Sequence, residues 1–350
     1  MAINLASKYS ARVAKAFSLR SFLNGRTSGA YQFDGVRSVK VFTPITVDEV
    51  DYERSGTSRY GTPQDMQDTV QELMLTQDKS FSLIIDKGDN TSQMMVKNAS
   101  DMLLLQLQEK TVPNADRYAF SQFVRQAGTV KGISQKPTKA TVAEIILDAC
   151  QAMDDMGVPD GAARTLFATA QMCKLIKLSP EFIGIDRLGE KALSKGQIGE
   201  ISGMQVVKVP TSYLPQDCYF LITYKESILF PYKLKDTKIH TDPPGISGAL
   251  IEGRHYYDAF VLGAKANGVY AVVLADKKLP EPTITVTGSS ASIACSGAQE
   301  IRYTLDGTDP RYSSTAKVYS AAVNVPQGAC VKAVGYAADK FTSDVALKNA

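Results

Sequence analysis

The chain has two histidines, and neither stands in a pattern typical of a catalytic base. His255 falls in an expected strand, and His240 lies in a polar segment just before a proline pair. A catalytic triad needs a nucleophile and an oriented base, yet no GxSxG or Cys–His motif is present. The acidic pair Asp154-Asp155 ends a predicted helix, where solvated carboxylates are favoured over acid/base catalysis. The sequence therefore predicts no catalytic residue.

Metal and cofactor motifs are also missing from the sequence. The five cysteines are Cys150, Cys173, Cys218, Cys295 and Cys330. Their odd number, wide spacing and lack of CxxC argue against a metal site or a disulfide framework, so we expect buried thiols. Cys295 and Cys330 share the C-terminal region and could approach one another. Glycines 196, 199 and 203 do not open a helix after a strand, so they predict a turn and not a dinucleotide site.

The bulk composition indicates a folded protein of several domains. The chain has 350 residues, of which 44% are hydrophobic and 21% charged, and its net charge is only +3. A near-neutral total does not favour a generic nucleic-acid binder. No apolar run reaches the roughly 20 residues that span a bilayer, and no secretory signal is recognisable, so we expect no membrane association.

Charge is concentrated at the N-terminus, in residues 1–40. The basic side chains there include Lys8, Arg12, Lys15 and Arg20. Such an arm can face nucleic acid or an acidic partner, and it can equally be a solvated arm. The sequence leaves both interpretations open.

The elements that follow alternate between extended and helical segments. Residues 39–42 and 81–85 alternate like strands around a polar stretch, which predicts a long hairpin or a projecting arm over residues 41–90. Glu53, Arg54, Arg59 and Asp65 lie in that stretch and are candidate contacts to neighbouring subunits.

The body is predicted to be α+β and to span residues 91–276. Apolar periodicity indicates helices over residues 92–128 and 138–156, the first with a kink or break near Pro113. Strands are expected at residues 166–168 and repeatedly between residues 219 and 273.

A linker at residues 277–282, KKLPEP, is followed by a region of short strands at residues 283–350. Their spacing is typical of a small immunoglobulin-like sandwich. Asp306-Gly307 predicts a tight turn, which Asp309-Pro310 continues. A cation bound by the two aspartates is the alternative.

The order of these segments over residues 1–275 resembles the major capsid proteins of tailed bacteriophages with the Hong Kong 97-like fold. The matching features include the Val112–Asp116 turn, the Gly157-Val158-Pro159 helix end and the Gly199–Met204 turn. The resemblance implies an N-terminal arm, an extended loop, a spine helix, and peripheral and axial domains. It also implies a structural subunit that forms pentamers and hexamers, without enzymatic activity or cofactor.

The C-terminal region resembles the module at the end of chitobiase-type glycosidases. The residues that carry this resemblance are Tyr303–Pro310, with Ser313 and Ser314 soon after the proline. In that family the module is usually accessory, so here it is expected to decorate the outside of a shell. A glycan or another surface ligand is conceivable for it.

The sequence thus predicts a virion shell protein, assembled in the bacterial host cytoplasm around double-stranded DNA. Scaffolding protein and portal are expected partners. An encapsulin-like cellular compartment with the same fold is one alternative. A carbohydrate-binding protein acting through its C-terminal region is another, although the chain contains no tryptophan.

Overall fold

The computed structural model describes residues 21–31, 33, 38–47, 49–55, 57–63, 65, 68–92, 98–179 and 197–350. The helical segments are α1 (Lys87–Ser92), α2 (Ala99–Gln106), a π-helical turn (Leu107–Thr111), α3 (Val112–Arg125), α4 (Val142–Asp155) and α5 (Ala170–Leu178). The first strands are β1 (Ser38–Pro44), β2 (Asp68–Met74), β3 (Gln77–Asp86), β4 (Thr129–Ile133), β5 (Arg164–Thr169), β6 (Gln197–Ile201) and β7 (Met204–Val209).

The next strands are β8 (Cys218–Tyr224), β9 (Ile228–Leu229), β10 (Tyr232–Thr241), β11 (Gly248–Tyr257), β12 (Phe260–Val261) and β13 (Val269–Leu274). The C-terminal strands are β14 (Thr283–Thr287), β15 (Ser290–Ala294), β16 (Glu300–Thr304), β17 (Lys317–Val318), β18 (Val323–Asn324), β19 (Cys330–Tyr336) and β20 (Ala346–Asn349). Within the described ranges, no helix is long and apolar enough to cross a membrane.

A mixed sheet of six strands forms the centre of the body, in the order β4-β13-β8-β5-β7-β6. Strand β5 lies inside it and is buried along its whole length. Because successive side chains of a strand point to opposite faces, Phe167 packs on α3 while Leu166 and Ala168 face α4 and α5. The predicted short apolar strand is therefore covered by helices on both faces.

The long helix over residues 99–125, which we call the spine helix, passes Pro113 without a break. The sequence predicts a kink or break there; the chain does not break, and a π-helical turn directly precedes the proline. The Val112 N–H bonds to the Leu107 carbonyl, one residue further back than in an α-helix. This wider turn comes just before Pro113, which has no N–H to donate, so the chain remains helical.

The two strands predicted around residues 41–90 exist, but they do not pair with each other, so the hairpin alternative is wrong. β1 pairs with β2, whereas β3 pairs with β11 in a separate sheet of order β10-β11-β3. Strand β2 was not predicted from the sequence. Leu73 is its only buried residue, so it lacks a clear apolar alternation. From here on, "extended loop" means residues 38–74.

Residues 283–350, called the C-terminal module below, form two facing sheets, β14-β15-β18 and β17-β16-β19-β20. Its core contains Ala291, Ile293, Val331 and Ala333. The predicted immunoglobulin-like sandwich is confirmed. The connector before it is not an open tether, because Leu279 is buried and its N–H donates to the Phe341 carbonyl.

Candidate functional site

The residues that could carry acid/base chemistry are far apart. His240 lies 3.2 Å from Glu252 on the exposed β10–β11 pair. His255 is buried and stacks on Phe81, and burial, with Lys235 nearby, lowers the pKa of its imidazole. On β11, the partner of His240 is Leu250, five residues from His255, which is roughly 17 Å along a strand. The described residues thus contain no paired histidines.

The acidic pair at the end of α4 has a structural role that the sequence analysis missed. Asp154 is more than a solvated carboxylate, because it forms an ion pair of 2.6 Å with Arg164, a guanidinium that is only 1% exposed. Arg164 also donates to the carbonyls of Val158 and Pro159. The arrangement ties the end of α4 to the start of β5.

The cysteines are unbonded thiols, and the glycine motif forms a turn. All five cysteines are described and are free thiols, and burial raises the pKa of Cys150 and Cys173 to about 11. No group of metal-binding side chains occurs among the described residues. Gly203, with φ of 73°, and Ser202, with φ of 47°, form the two-residue turn between β6 and β7. Gly196 lies outside the described residues.

The four predicted contact residues of the extended loop, Glu53, Arg54, Arg59 and Asp65, are all exposed. Near the tip of the loop, the Glu53 N–H donates to the Arg59 carbonyl at 3.0 Å, so the chain folds back on itself between these two residues. Their contacts to other subunits stay a prediction. The structure adds an apolar surface that the charge pattern did not indicate.

Large apolar side chains of the extended loop face solvent in this single chain. They are Phe42, Ile45, Val47, Val50, Tyr52, Tyr60 and Met74, and Tyr60 is 85% exposed. Single exposed apolar residues are ordinary, but such a concentration marks an interaction surface. The sequence signal was present: apolar residues recur within a segment too polar to form its own core.

The root of the extended loop is held firmly on the body. Asp258 accepts hydrogen bonds from the N–H and hydroxyl of Thr76, at 2.8 and 2.7 Å, and from the Tyr118 hydroxyl at 2.8 Å. Gln71 of β2 accepts from the Gly263 N–H and donates to the Val261 carbonyl. The exposed loop therefore extends from a fixed base.

The predicted turn of the C-terminal module is a hydrogen-bonded unit. Asp306 accepts from the N–H and hydroxyl of Thr308 and from the Thr315 hydroxyl. Burial acts to raise its pKa, but these hydrogen bonds prevail and lower it. Gly307 has φ of 73°, as a tight turn requires. The carboxylate is engaged by turn groups, which favours the turn over the cation alternative.

Asp309 and Pro310 lead directly into the body. Asp309 binds the guanidinium of Arg311 through both carboxylate oxygens, and Arg311 reaches the carbonyls of Ala127 and Gly128. Tyr312 is 8% exposed and belongs to the core of the body. Arg311 and Tyr312 follow the turn motif immediately, and an aromatic residue in such a polar turn is the signal that could have pointed to docking.

The four basic residues proposed to face DNA or an assembly partner, Lys8, Arg12, Lys15 and Arg20, lie outside the described residues. At residues 21 and 22 the chain is fixed to the spine helix. The Ser21 hydroxyl and the Phe22 N–H each donate to Asp116 at 2.8 Å. Asp116 is 1% exposed, and burial raises its pKa to about 6 although both hydrogen bonds lower it.

This buried carboxyl predicts a stability that depends on pH. The folded pKa of about 6 exceeds the unfolded value of 3.8, so stabilisation is complete below the unfolded value and is lost as pH rises through the folded one. At about 1.36 kcal/mol per pKa unit, the loss is roughly 2–3 kcal/mol. Asp116→Asn, which mimics the protonated carboxyl, should flatten this slope in urea unfolding measured from pH 4 to 7. Asp148→Asn, at an exposed position, should keep it, and an unchanged slope in Asp116→Asn would refute the assignment.

Several solved structures with a similar fold come from bacteriophages. A structure from Mycobacterium phage Che8 matches with a TM-score of 0.57 and 18% identity, over 77% of this chain and 98% of that chain. The capsid structure of Cyanophage P-SCSP1u matches with a TM-score of 0.62 and 14% identity, over 77% of this chain and 93% of that chain. The mature capsid of bacteriophage PhiM1 matches with a TM-score of 0.59 and 12% identity, over 77% of this chain and 92% of that chain.

The chain has a bacteriophage capsid fold. The fold class expected from the order of its segments is thereby confirmed. At identities of 12–18% the likeness shows the fold alone, and it extends over 92–98% of the length of the matched chains.

The module has its own resemblance. A family model described as "Fn3 associated" matches residues 292–349, in agreement with the immunoglobulin-like sandwich. No curated protein sequence matches the chain. The aromatic side chains of the module are Tyr303, Tyr312, Tyr319, Tyr336 and Phe341. All of them are buried or half-buried, so the module lacks an open aromatic platform for a sugar ring.

Proposed function

We propose that this protein is the major capsid protein of a tailed bacteriophage, a structural subunit that encloses double-stranded DNA. The observation that carries the proposal is the solvent-exposed apolar surface of the extended loop on a capsid fold. A subunit working alone would gain nothing from keeping these side chains in water. A second copy covering them would remove apolar surface from solvent, at about 25 cal/mol per Å².

Assembly by many identical weak contacts fits the charged residues of the loop as well. Exposed pairs involving Glu53, Arg54, Arg59 or Asp65 would each contribute about 0–1 kcal/mol. In a closed shell of pentamers and hexamers, symmetry repeats every contact, and weak contacts let misplaced subunits dissociate. We therefore assign these four residues to contacts between copies.

The remaining parts follow from this assignment. We divide the chain into an arm at residues 1–40, which ends within β1, a segment at 41–90 that contains the rest of the extended loop and β3, the body at 91–276, the connector at 277–282 and the outer module at 283–350. The basic arm would contact DNA or a scaffolding protein during assembly in the host cytoplasm, and a portal would be a further partner of the shell. The buried aromatic rings of the module support a structural role for it over carbohydrate binding.

The test compares two sets of exposed apolar residues. Phe42→Ser, Ile45→Ser and Val47→Ser together remove apolar side chains of the extended loop that are 45–62% exposed. We expect this variant to fold with an unchanged melting temperature but to form no shells, since each such side chain contributes about 1.5–3 kcal/mol when fully buried. Sedimentation velocity and negative-stain electron microscopy would follow assembly.

The matched control changes exposed apolar residues elsewhere. Val318 and Leu347 of the module are 61% and 56% exposed, and their replacement by serine should leave shell formation intact. Shells formed by the loop variant at the wild-type concentration would contradict the role of the loop. A wild-type chain that stays monomeric under all assembly conditions, with and without its scaffolding partner, would contradict the capsid function.

A further inference from the structure

The end of the spine helix is capped by side chains of the C-terminal module. The last carbonyls of a helix have no intrahelical donor. Here Thr342 donates to the carbonyl of Arg125 at 2.8 Å, and the Tyr312 hydroxyl donates to that of Gln126 at 2.6 Å. Arg311 donates to the next two carbonyls, at 2.6 and 2.8 Å. Four consecutive carbonyls, 125–128, thus accept hydrogen bonds from residues 183 to 217 positions further along the chain.

The capping side chains are held rigidly in position. Asp309 binds the Arg311 guanidinium, with its closest contact at 2.7 Å, and this ion pair is largely buried. The positive charge lies at the negative end of the helix dipole, where a cation is stabilising. Tyr312 packs against the backbone of Gly263, where an added Cβ would come within 2.7 Å of the tyrosine. The module and the body therefore meet at close-packed distance.

The same turn reaches the extended loop. The Ser314 N–H donates to the Val70 carbonyl in β2 at 3.0 Å. Gly263, against which Tyr312 packs, donates to Gln71 in the same strand at 2.8 Å. The turn at residues 309–314 consequently contacts the spine helix on one side and the root of the extended loop on the other.

We propose that the turn at residues 309–314 is an intramolecular brace, which fixes the extended loop at one angle to the spine helix. The module is then part of the body's framework as well as an attachment to its surface. This inference rests on the proposed function in one respect only: in a shell, the angle of the extended loop determines how the loop contacts the neighbouring subunit. Rotation of the loop requires the Ser314–Val70 hydrogen bond to break.

The brace can be tested on the full-length, unassembled subunit by hydrogen–deuterium exchange. Arg311→Met with Tyr312→Phe removes the donors to the carbonyls of residues 126–128 and keeps the bulk of both side chains. We expect amides in the last turn of α3 and in β2 to exchange at least about tenfold faster, as follows from losing charged hydrogen bonds. Strands β16 and β19 of the module should exchange as before.

Two further variants sharpen the result. Arg302→Met with Tyr319→Phe makes the same changes elsewhere in the module and should leave exchange in α3 and β2 unaltered. Ser314→Pro removes the single N–H that reaches Val70 and should accelerate exchange in β2 without affecting α3. It also provides a test if the double variant does not fold.

The proposal would be overturned by unchanged exchange in β2 in both Arg311→Met/Tyr312→Phe and Ser314→Pro. Faster exchange in α3 alone would leave a helix cap but no brace, and would overturn it equally. Because the measurement uses unassembled subunits, it is independent of shell formation. A subunit that shows the expected exchange but never assembles would retain the brace and refute the capsid function.

Discussion

Replacing Arg164 by methionine is expected to lower the free energy of unfolding by about 3–5 kcal/mol, because two backbone carbonyls lose a charged donor and each such hydrogen bond contributes about 1.5–3 kcal/mol. Its guanidinium donates to the Pro159 carbonyl at 2.9 Å and pairs with Asp154 at 2.6 Å. It also donates to the Val158 carbonyl. Methionine keeps the apolar stem but no donor, so the backbone after α4 loses its connection to β5.

Urea unfolding of the unassembled subunit measures this loss. The matched control is Arg254→Met, since Arg254 also binds an aspartate, Asp78, at 2.6 Å, but on an exposed strand. We expect the control to unfold at nearly the wild-type urea concentration. A loss below about 1 kcal/mol in Arg164→Met, the range of exposed ion pairs, would contradict the structural role of this residue.

Gly128→Ala is expected to destabilise the subunit by about 3 kcal/mol, near the upper end of the usual cost of overpacking. A Cβ at this position would lie 2.2 Å from the Ala266 carbonyl oxygen and 2.9 Å from the Asn267 nitrogen. Both are backbone atoms of a turn that packs on the end of the spine helix, so neither can move aside as a flexible side chain would. The variant should also weaken the brace, because the Gly128 carbonyl accepts from Arg311.

Thermal unfolding of Gly128→Ala and Gly29→Ala provides the comparison. Around Gly29 no atom lies within 4 Å of an added Cβ, and its φ is not in the left-handed region. We expect Gly29→Ala to change stability by no more than about 0.5 kcal/mol. Equal melting temperatures for the two variants would contradict the prediction, because they would show that a Cβ at residue 128 does not destabilise the fold.

Gly128 also illustrates what a sequence pattern can and cannot convey. The helix predicted over residues 92–128 ends on this glycine, and the helix of the structure ends near it, at Arg125. A C-cap glycine is usually needed for a left-handed φ, but Gly128 is needed because the Ala266 backbone comes so close. The local signal located the helix end correctly, whereas the reason for the glycine came from a segment distant in sequence.

Local periodicity predicted most of the individual elements. The helix expected over residues 138–156 is α4, and the run at residues 166–168 lies within β5. Pairing was harder, because β1 and β3 each found a different partner from the one expected. Strand pairing joins residues far apart in the chain, and β2 was too weakly patterned to compete in a local analysis.

The candidate sites divide in the same way. The Asp306-Gly307 turn was predicted from its residue types, because φ above zero favours glycine and aspartate readily accepts nearby backbone N–H groups. The exposed apolar surface of the extended loop was not predicted, because side-chain exposure depends on where the core lies. Arg311 and Tyr312 were missed since their partners are carbonyls near residue 127, and a carbonyl has no sequence signature.

The sequence by itself therefore determined the order of the segments, the α+β body, the sandwich after residue 282 and the lack of any catalytic pattern. These depend on hydrophobic period, turn chemistry and residue types, all of which act over a few neighbouring positions. Only the tertiary structure decided which strands pair, which side chains stay exposed and how the C-terminal turn joins the spine helix to the extended loop. Those features depend on backbone N–H and C=O groups, which nearly every residue carries and which therefore leave no mark in the sequence. They also depend on burial, which is set only when the chain folds.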